Sequence, residues 1–177
     1  MEWLKEDTWI ISDTHLYHKN IQQYCDRPKN HTWLIINNWN NTIYPNEHVL
    51  HLGDVILAPK SIMRETYLSG IKHVIPGNHD SRKKLSSLMG FDILPQFIHL
   101  EIDGIRLLFS HEPVDMNDPT MLTIWGNDYY NIHGHIHNNP PPKFYGPRHV
   151  NLSVEVRDYK PILVSDIVFE IQQGRKT

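Results

Sequence analysis

The chain has 177 residues, a formal net charge of -3 and a sequence pI of about 6.5, and 40% of its residues are hydrophobic against 21% charged. This balance predicts a globular fold of one domain over residues 1–177, and it argues against both intrinsic disorder and tight nucleic-acid binding. No stretch approaches the roughly 20 apolar residues that cross a bilayer, so no membrane partner is expected, and the single Cys25 without a signal-like N-terminus favours a cytoplasmic location.

Short β-rich runs divide the chain, and each one stops at a polar residue. These runs span residues 8–12, 47–52, 73–76, 107–110 and 129–133. Helix-like stretches at residues 32–41, 61–68 and 81–89 lie between the earlier runs, and Gly90 closes the last of them. The alternation predicts parallel strands joined by right-handed crossovers, and so an α/β first half.

The second half changes to an antiparallel pattern. Two runs, at residues 96–102 and 105–110, flank Asp103-Gly104, which is typical of a two-residue hairpin turn. The remaining predictions are a long polar loop at 112–125, a rigid loop at 139–143, a strand at 150–156 and a helix or strand at 164–173. Together they indicate a mixed sheet, or two sheets packed face to face.

Two candidate metal-binding pairs follow the first two runs. Asp13 and His15 are two positions apart, so both side chains can point to the same side of a strand end. Asp54 follows Gly53, which allows close approach of the backbone. Each pair alone is explained equally well by a turn with a surface residue. Whether these pairs indicate a metal site therefore depends on the motifs that follow them.

Three later groups offer the same kinds of side chain. They are Gly77-Asn78-His79-Asp80, the single His111, and Gly134-His135-Ile136-His137. The Asn78 amide oxygen is a suitable ligand, and two imidazoles two positions apart, at His135 and His137, point the same way from a strand end. Five independent groups at strand ends predict a metal site.

The five groups, in this order, resemble the motif blocks D-x-H, G-D, G-N-H-[DE], H and G-H-x-H of the calcineurin-like metallophosphoesterases, over most of the chain. The chain also resembles small bacterial and phage members in which the first block continues to a second histidine and an Arg-Pro pair, here His18 and Arg27-Pro28. The resemblance implies a four-layer α/β/β/α sandwich with two mixed β-sheets. It also implies a dinuclear metal site at one edge.

The resemblance implies seven metal ligands. The first metal would be held by Asp13, His15 and His137, the second by Asn78, His111 and His135, and both by a bridging Asp54. Mixed nitrogen and oxygen ligands suit Mn²⁺, Fe or Zn²⁺ better than Ca²⁺ without selecting among the three. Mn²⁺ is the first expectation, and Ni²⁺ is a further alternative. Two such cations about 3.5 to 4 Å apart hold a water that attacks phosphorus in line.

Further roles are implied for residues around the metals. His79 would contact the phosphoryl group and protonate the leaving oxygen, with Asp80 orienting it. Asn78 and Arg27 would also contact substrate, and His18 would meet the departing group if the first loop folds over the metals. A solvated Arg-Pro turn explains Arg27 equally well.

Several prominent residues lie outside the motifs. Trp33 and Trp39, at near-helical spacing, are predicted as core residues, and residues 82–84 as a solvated basic helix face. Six histidines are interpreted as surface or packing residues: His31, His48, His51, His73, His99 and His149. His133 directly precedes the last motif and is expected beside the site.

The second motif also bears on the substrate. Protein phosphatases of the family that this chain resembles carry an Asp and an Arg shortly after the G-D block. Residues 55–59, which follow Gly53-Asp54, contain neither. The sequence therefore favours a phosphodiesterase acting on a small or nucleotide phosphodiester. A phosphomonoesterase or dinucleotide-polyphosphate hydrolase is the alternative within enzymes, and a catalytically silent interaction scaffold is the alternative outside them.

Overall fold

A computed structural model describes residues 1–174, so the last three residues of the predicted domain lie outside the described residues. The strands in chain order are β1 (Trp9–Ile11), β2 (His48–His51), β3 (Ile71–Val74), β4 (Asp92–Ile93), β5 (Ile98–Ile102), β6 (Ile105–Phe109), β7 (Tyr130–His133), β8 (His149–Asn151) and β9 (Ile162–Leu163). The α-helices are α1 (Ile21–Cys25), α2 (His31–Thr42), α3 (Lys60–Glu65), α4 (Arg82–Met89), α5 (Pro119–Trp125) and α6 (Val164–Gln172).

The first sheet has the strand order β4-β3-β2-β1-β9. Strands β1 to β4 pair in parallel, and β9 pairs antiparallel with β1. Because parallel neighbours end at the same edge of a sheet, the loops after β1, β2 and β3 converge there. Asp13, Asp54 and Asn78 lie in these loops.

The second sheet has the order β5-β6-β7-β8. The predicted hairpin is confirmed, because β5 and β6 pair antiparallel from Ile98↔Phe109 to Ile102↔Ile105. Asp103 and Gly104 both have positive φ, 50° and 77°, as a type I′ turn requires. Strands β7 and β8 run parallel to β6, so this sheet is also mixed.

Apolar side chains fill the space between the two sheets and the outer face of the first. Ile10 and Leu50 belong to one core cluster with Phe109 and Ile132 of the second sheet. The outer cluster joins β1, β2 and β3 to α2, α3 and α4. A small third cluster places α5 against the far face of the second sheet. These layers confirm the α/β/β/α sandwich with two mixed sheets, although its fourth layer is thin.

Two predicted segments differ from the structure. The expected loop 112–125 contains α5, because Asp118 caps the helix by accepting from the N–H groups of Thr120 and Met121 and is followed by Pro119. The strand expected over 150–156 stops at Asn151. A 3-10 turn, Val154–Val156, follows it, because the Ser153 N–H donates to the Asn151 side chain rather than to a strand.

The predicted burial of the two tryptophans is half right. Trp39 is fully buried, whereas Trp33 is 63% exposed. The buried side of α2 consists of His31, Ile35 and Trp39, four positions apart, so Trp33 lies on another face of the helix. The 12 residues of α2 also make it the longest described helix, and within residues 1–174 none is long and apolar enough to cross a membrane.

Candidate dinuclear metal centre

Most of the predicted metal ligands lie in strained backbone at the strand ends. Five of the seven predicted ligands have a left-handed φ: Asp13 (54°), His15 (42°), Asp54 (59°), His135 (70°) and His137 (52°). This conformation costs about 1 to 3 kcal/mol for a residue with a side chain. Strain concentrated in three separate loops at one edge indicates a functional site.

One cluster contains Asp13, His15 and His137, whose candidate ligand atoms all lie within 4.8 Å of one another. The Asp13 carboxylate is fully buried. It accepts hydrogen bonds from the hydroxyls of Ser12 (2.6 Å) and Ser153 (3.1 Å), and from the N–H of His135 at 2.9 Å. These donors fix the carboxylate between the loops of both sheets.

The second cluster contains Asp54, His111 and His135, again with ligand atoms within 4.8 Å. His111 Nδ1 lies 2.7 Å from the carbonyl oxygen of Leu52, which can only accept, so Nδ1 carries the proton. His111 Nε2 therefore faces Asn78 Oδ1 at 3.0 Å and Asp54 Oδ2 at 3.5 Å. A ring nitrogen, an amide oxygen and a carboxylate oxygen thus converge here, and these are atoms that bind divalent cations in proteins.

Asp54 lies between the two clusters. Its Oδ2 is 3.4 Å from His15 Nε2 in the first and 3.5 Å from His111 Nε2 in the second. Burial alone would raise the pKa of this carboxyl, but the hydrogen bond with His15 and the nearby imidazoles hold the pKa well below its usual range. An ionised carboxylate in this position fits the predicted bridge between two cations.

Two motif glycines allow the loops to approach this closely. A Cβ on Gly77 would collide with Asp54 Oδ1, and a Cβ on Gly134 would collide with Asp13 Oδ2 and with Ser12 Oγ. The glycines are therefore needed by the site itself. Donor chemistry, converging acceptors and spacing all fit two divalent cations.

His79 and His18 lie at the open side of the clusters. The exposed His79 ring is centred 5.5 Å from the His15 ring, and the His79 N–H donates to Asp54 Oδ1 at 2.9 Å. The His18 ring is half-buried and centred 5.4 Å from the His15 ring. Burial and the neighbouring His15 and His79 rings lower the pKa of His18. Both histidines therefore lie beside the first cluster.

Asp80 contacts backbone rather than the His79 ring in the described structure. Its carboxylate accepts from the N–H groups of Asp54 (2.7 Å), Val55 (2.9 Å) and Gly77 (3.0 Å). It therefore connects the loops of the second and third motifs. Within the described residues, no hydrogen bond joins the Asp80 carboxylate to the His79 ring, as the predicted orienting role would require.

Arg27 also differs from its predicted position. Its side chain is fully buried, and its guanidinium donates to the carbonyls of Asp13 (2.5 Å) and Thr14 (2.8 Å) and to Glu155 Oε1 (2.7 Å). The guanidinium, predicted to bind phosphate, holds the loop of the first motif instead. Arg27 is therefore a structural support of the site in this geometry.

Glu155 is a site residue that the sequence did not reveal. Its Oε1 accepts from Arg27 and lies 2.9 Å from Nδ1 of His137, whose Nε2 faces Asp13. Burial lowers the pKa of His137, but hydrogen bonds to Cys25 and Glu155 outweigh it and raise the pKa to about 10. A carboxylate behind a metal-binding histidine orients the ring and makes it a better ligand. No local motif marks Glu155, since its partners are distant in sequence.

His51, interpreted as a packing residue, joins two motif loops. Its Nδ1 accepts from the N–H of Gly53 at 3.0 Å, so its Nε2 carries the proton and donates to Thr14 Oγ1 at 2.9 Å. Burial lowers the pKa of His51 to about 3. His133, expected beside the site, is buried, and its Nδ1 lies 2.8 Å from the carbonyl oxygen of Gly134.

The chain is similar to several known proteins. A family model described as the calcineurin-like phosphoesterase superfamily domain matches residues 7–155. A protein of Methanocaldococcus jannaschii named as uncharacterized, MJ1445, is 32% identical over 94% of this chain and 92% of its own length.

Solved structures are similar as well. The protein of unknown function AQ665 from Aquifex aeolicus is 30% identical, with a TM-score of 0.71 over 92% of this chain and 97% of that one. The phosphoesterase YfcE of E. coli is more distant, at 20% identity and a TM-score of 0.44 over 88% and 81% of the two chains. The family match covers most of the chain, and the chain therefore belongs to the calcineurin-like phosphoesterase superfamily.

Proposed function

We propose that this protein hydrolyses phosphodiesters with two divalent metal ions held at the edge of its two sheets. The observation that carries the proposal is the pair of ligand clusters with Asp54 between them, 3.4 Å and 3.5 Å from a histidine nitrogen of each. Family membership supports a metal-dependent phosphoesterase. The ligand set, the diester preference and the choice of Mn²⁺ belong to the proposal.

In the proposed site, Asp13, His15 and His137 hold one ion, and Asn78, His111 and His135 hold the other. When bound, the ions supply a water of lowered pKa and neutralise charge that develops on the phosphoryl oxygens. His79, exposed beside His15, donates a proton to the leaving oxygen. His18 contacts the departing group from the first loop.

The surroundings of the clusters favour two ester substituents over one. A cavity of about 360 Å³ lies beside Asn78 and His111 and is lined also by Arg82. A second cavity, of about 310 Å³, lies beside His79 and Lys84. A diester places one arm on each side of its phosphorus, and the basic residues suit its negative charge. A phosphomonoesterase or dinucleotide-polyphosphate hydrolase is the alternative.

The remaining predictions accompany this proposal. Mixed nitrogen and oxygen donors suit Mn²⁺, with Fe, Zn²⁺ or Ni²⁺ as substitutes. Residues 1–177 are proposed to form one domain, and the lone cysteine favours a reducing, cytoplasmic location for it.

The test compares bis-p-nitrophenyl phosphate with p-nitrophenyl phosphate, using metal-stripped protein refilled with Mn²⁺. We expect two ions per chain, faster cleavage of the diester, and no cleavage by Asp54→Asn. Faster cleavage of the monoester would favour the alternative. Cleavage of neither ester by protein that binds two ions would contradict the preference for simple diesters, and failure to bind metal would contradict the whole proposal.

A further inference from the structure

Three large aromatic side chains are exposed around the first motif. Tyr17, Tyr24 and Trp33 are 38%, 62% and 63% exposed. Tyr24 belongs to the short helix α1, and its ring is centred 6.3 Å from the His18 ring. Aromatic rings left in water cost the free energy that burial would recover, so a group of them beside a catalytic centre indicates a ligand surface.

The direction of α2 places Trp33 at the same edge as the metal clusters. Helix α2 connects the loop after β1 to β2, and β1 and β2 are parallel, so the helix begins at the metal edge and ends at the opposite edge. Trp33 lies in its first turn. Tyr44, equally exposed at 69%, follows the other end of the helix and lies far from the metals.

Tyr17 connects this region to the metal ligands. It is two residues from His15, and two residues of chain span at most about 7 Å. Its φ of 61° is left-handed, and its N–H donates to Thr32 Oγ1 at 3.0 Å. The strained backbone and this hydrogen bond hold the Tyr17 main chain against the start of α2, next to Trp33.

Tyr17 and Trp33 line one cavity of about 360 Å³. The other lining residues are Lys29, Asn30, Thr32 and Ile36. Rings and an aliphatic side chain provide flat apolar contact, and the amide, hydroxyl and ammonium groups provide donors at the rim. A flat aromatic ring with polar edges matches all of these features, and nucleobases bind in this way to exposed aromatic residues.

We propose that the cavity between Tyr17 and Trp33 binds the base of a nucleotide ester whose phosphate lies on the metal clusters. This inference rests on the proposed function and gives its substrate a class, a nucleoside phosphodiester. The base stacks on the Trp33 ring, and Lys29 and Asn30 meet its polar edge or the adjoining sugar. The strained Tyr17 forms the wall between the base and His15.

The kinetic test uses two diesters with the same leaving group, thymidine 5′-(p-nitrophenyl phosphate) and methyl p-nitrophenyl phosphate. We expect a lower KM for the thymidine ester. Trp33→Ala should raise the ratio of the thymidine KM to the methyl KM by about tenfold, and Trp33→Phe should restore most of the difference. Tyr44→Ala, an equally exposed aromatic residue at the opposite edge, should leave both KM values unchanged.

A binding measurement separates this inference from the proposed function. Isothermal titration calorimetry with adenosine 5′-monophosphate and, separately, ribose 5-phosphate should show tighter binding of the former, and Trp33→Ala should remove the difference. Cleavage of both diesters with the same KM ratio in wild type and Trp33→Ala would overturn the base site alone. If neither diester is cleaved, the proposed function fails, and equal binding of the two monophosphates would then overturn the base site as well.

Discussion

Replacing Glu155 by Gln tests whether a buried carboxylate behind His137 tunes the metal centre. Gln keeps the volume and one oxygen for Arg27, but it removes the charge that faces His137 Nδ1 at 2.9 Å. Loss of a carboxylate partner of a metal-binding histidine typically weakens metal affinity about 10- to 100-fold. The affinity for one of the two ions should fall by that amount.

The same change also affects stability, because the Glu155–Arg27 ion pair is almost completely buried, with side-chain exposures of 2% and 0%. Removing one partner leaves the other charge buried without compensation, at a cost of about 3 to 5 kcal/mol, and the retained oxygen favours the lower end. Glu170→Gln provides a matched control, since Glu170 pairs with Arg157 at 3.0 Å but is 23% exposed. That pair contributes about 1 kcal/mol or less.

The assay is isothermal titration of metal-stripped protein with Mn²⁺, on variants that circular dichroism shows to be folded. Urea denaturation of the same samples gives the free energy of unfolding. Unchanged Mn²⁺ affinity in folded Glu155→Gln would refute the positioning role. An equal loss of affinity in Glu170→Gln would attribute the effect to general destabilisation instead.

Three further outcomes are expected. His79→Ala should lower kcat about 10²- to 10⁴-fold with two metals retained, and unchanged turnover would remove its proposed role as the acid. Gly134→Ala should abolish metal binding because its Cβ collides with Asp13 Oδ2, whereas Gly146→Ala, with nothing within 4 Å of its Cβ, should bind metal normally. Burial lowers the pKa of His51 to about 3 from an unfolded value of 6.5. Between these two pH values the His51 ring is therefore protonated in the unfolded chain but not in the folded one. Stability is then fully present above pH 6.5 and falls by about 2 kcal/mol by pH 5, and urea curves of His51→Gln should show a smaller loss over this range.

The parts of the fold that were predictable from the sequence depend on short-range patterns. Strand positions followed from apolar runs that end in polar residues, and the hairpin from Asp103-Gly104. Helix α5 was missed because it has only seven residues and none of them is buried, so it shows no apolar helical pattern. Its capping sequence, Asp118-Pro119, was the signal that could have revealed it.

The candidate site likewise has one part that the sequence predicts and another that it does not. Its proposed ligands stand directly after strands, so motif and topology place them together. Glu155 and Arg27 are 128 residues apart, and neither carries a local signal that they contact each other. For the same reason Arg27 was expected to face substrate, although its donors are engaged by Asp13, Thr14 and Glu155.

Three side chains that are not proposed metal ligands have a common structural role. Five proposed ligands in left-handed backbone together cost on the order of 5 kcal/mol or more, so the loops would relax if nothing held them. Three side chains, the buried Arg27 and His51 and the partly buried Asp80, each bond to backbone or to side chains of the motif loops. The protein thereby holds the ligands in place through its own hydrogen bonds, and metal binding need not supply the free energy to order them. This predicts that changes at these supports weaken metal binding although none of the three is a proposed ligand.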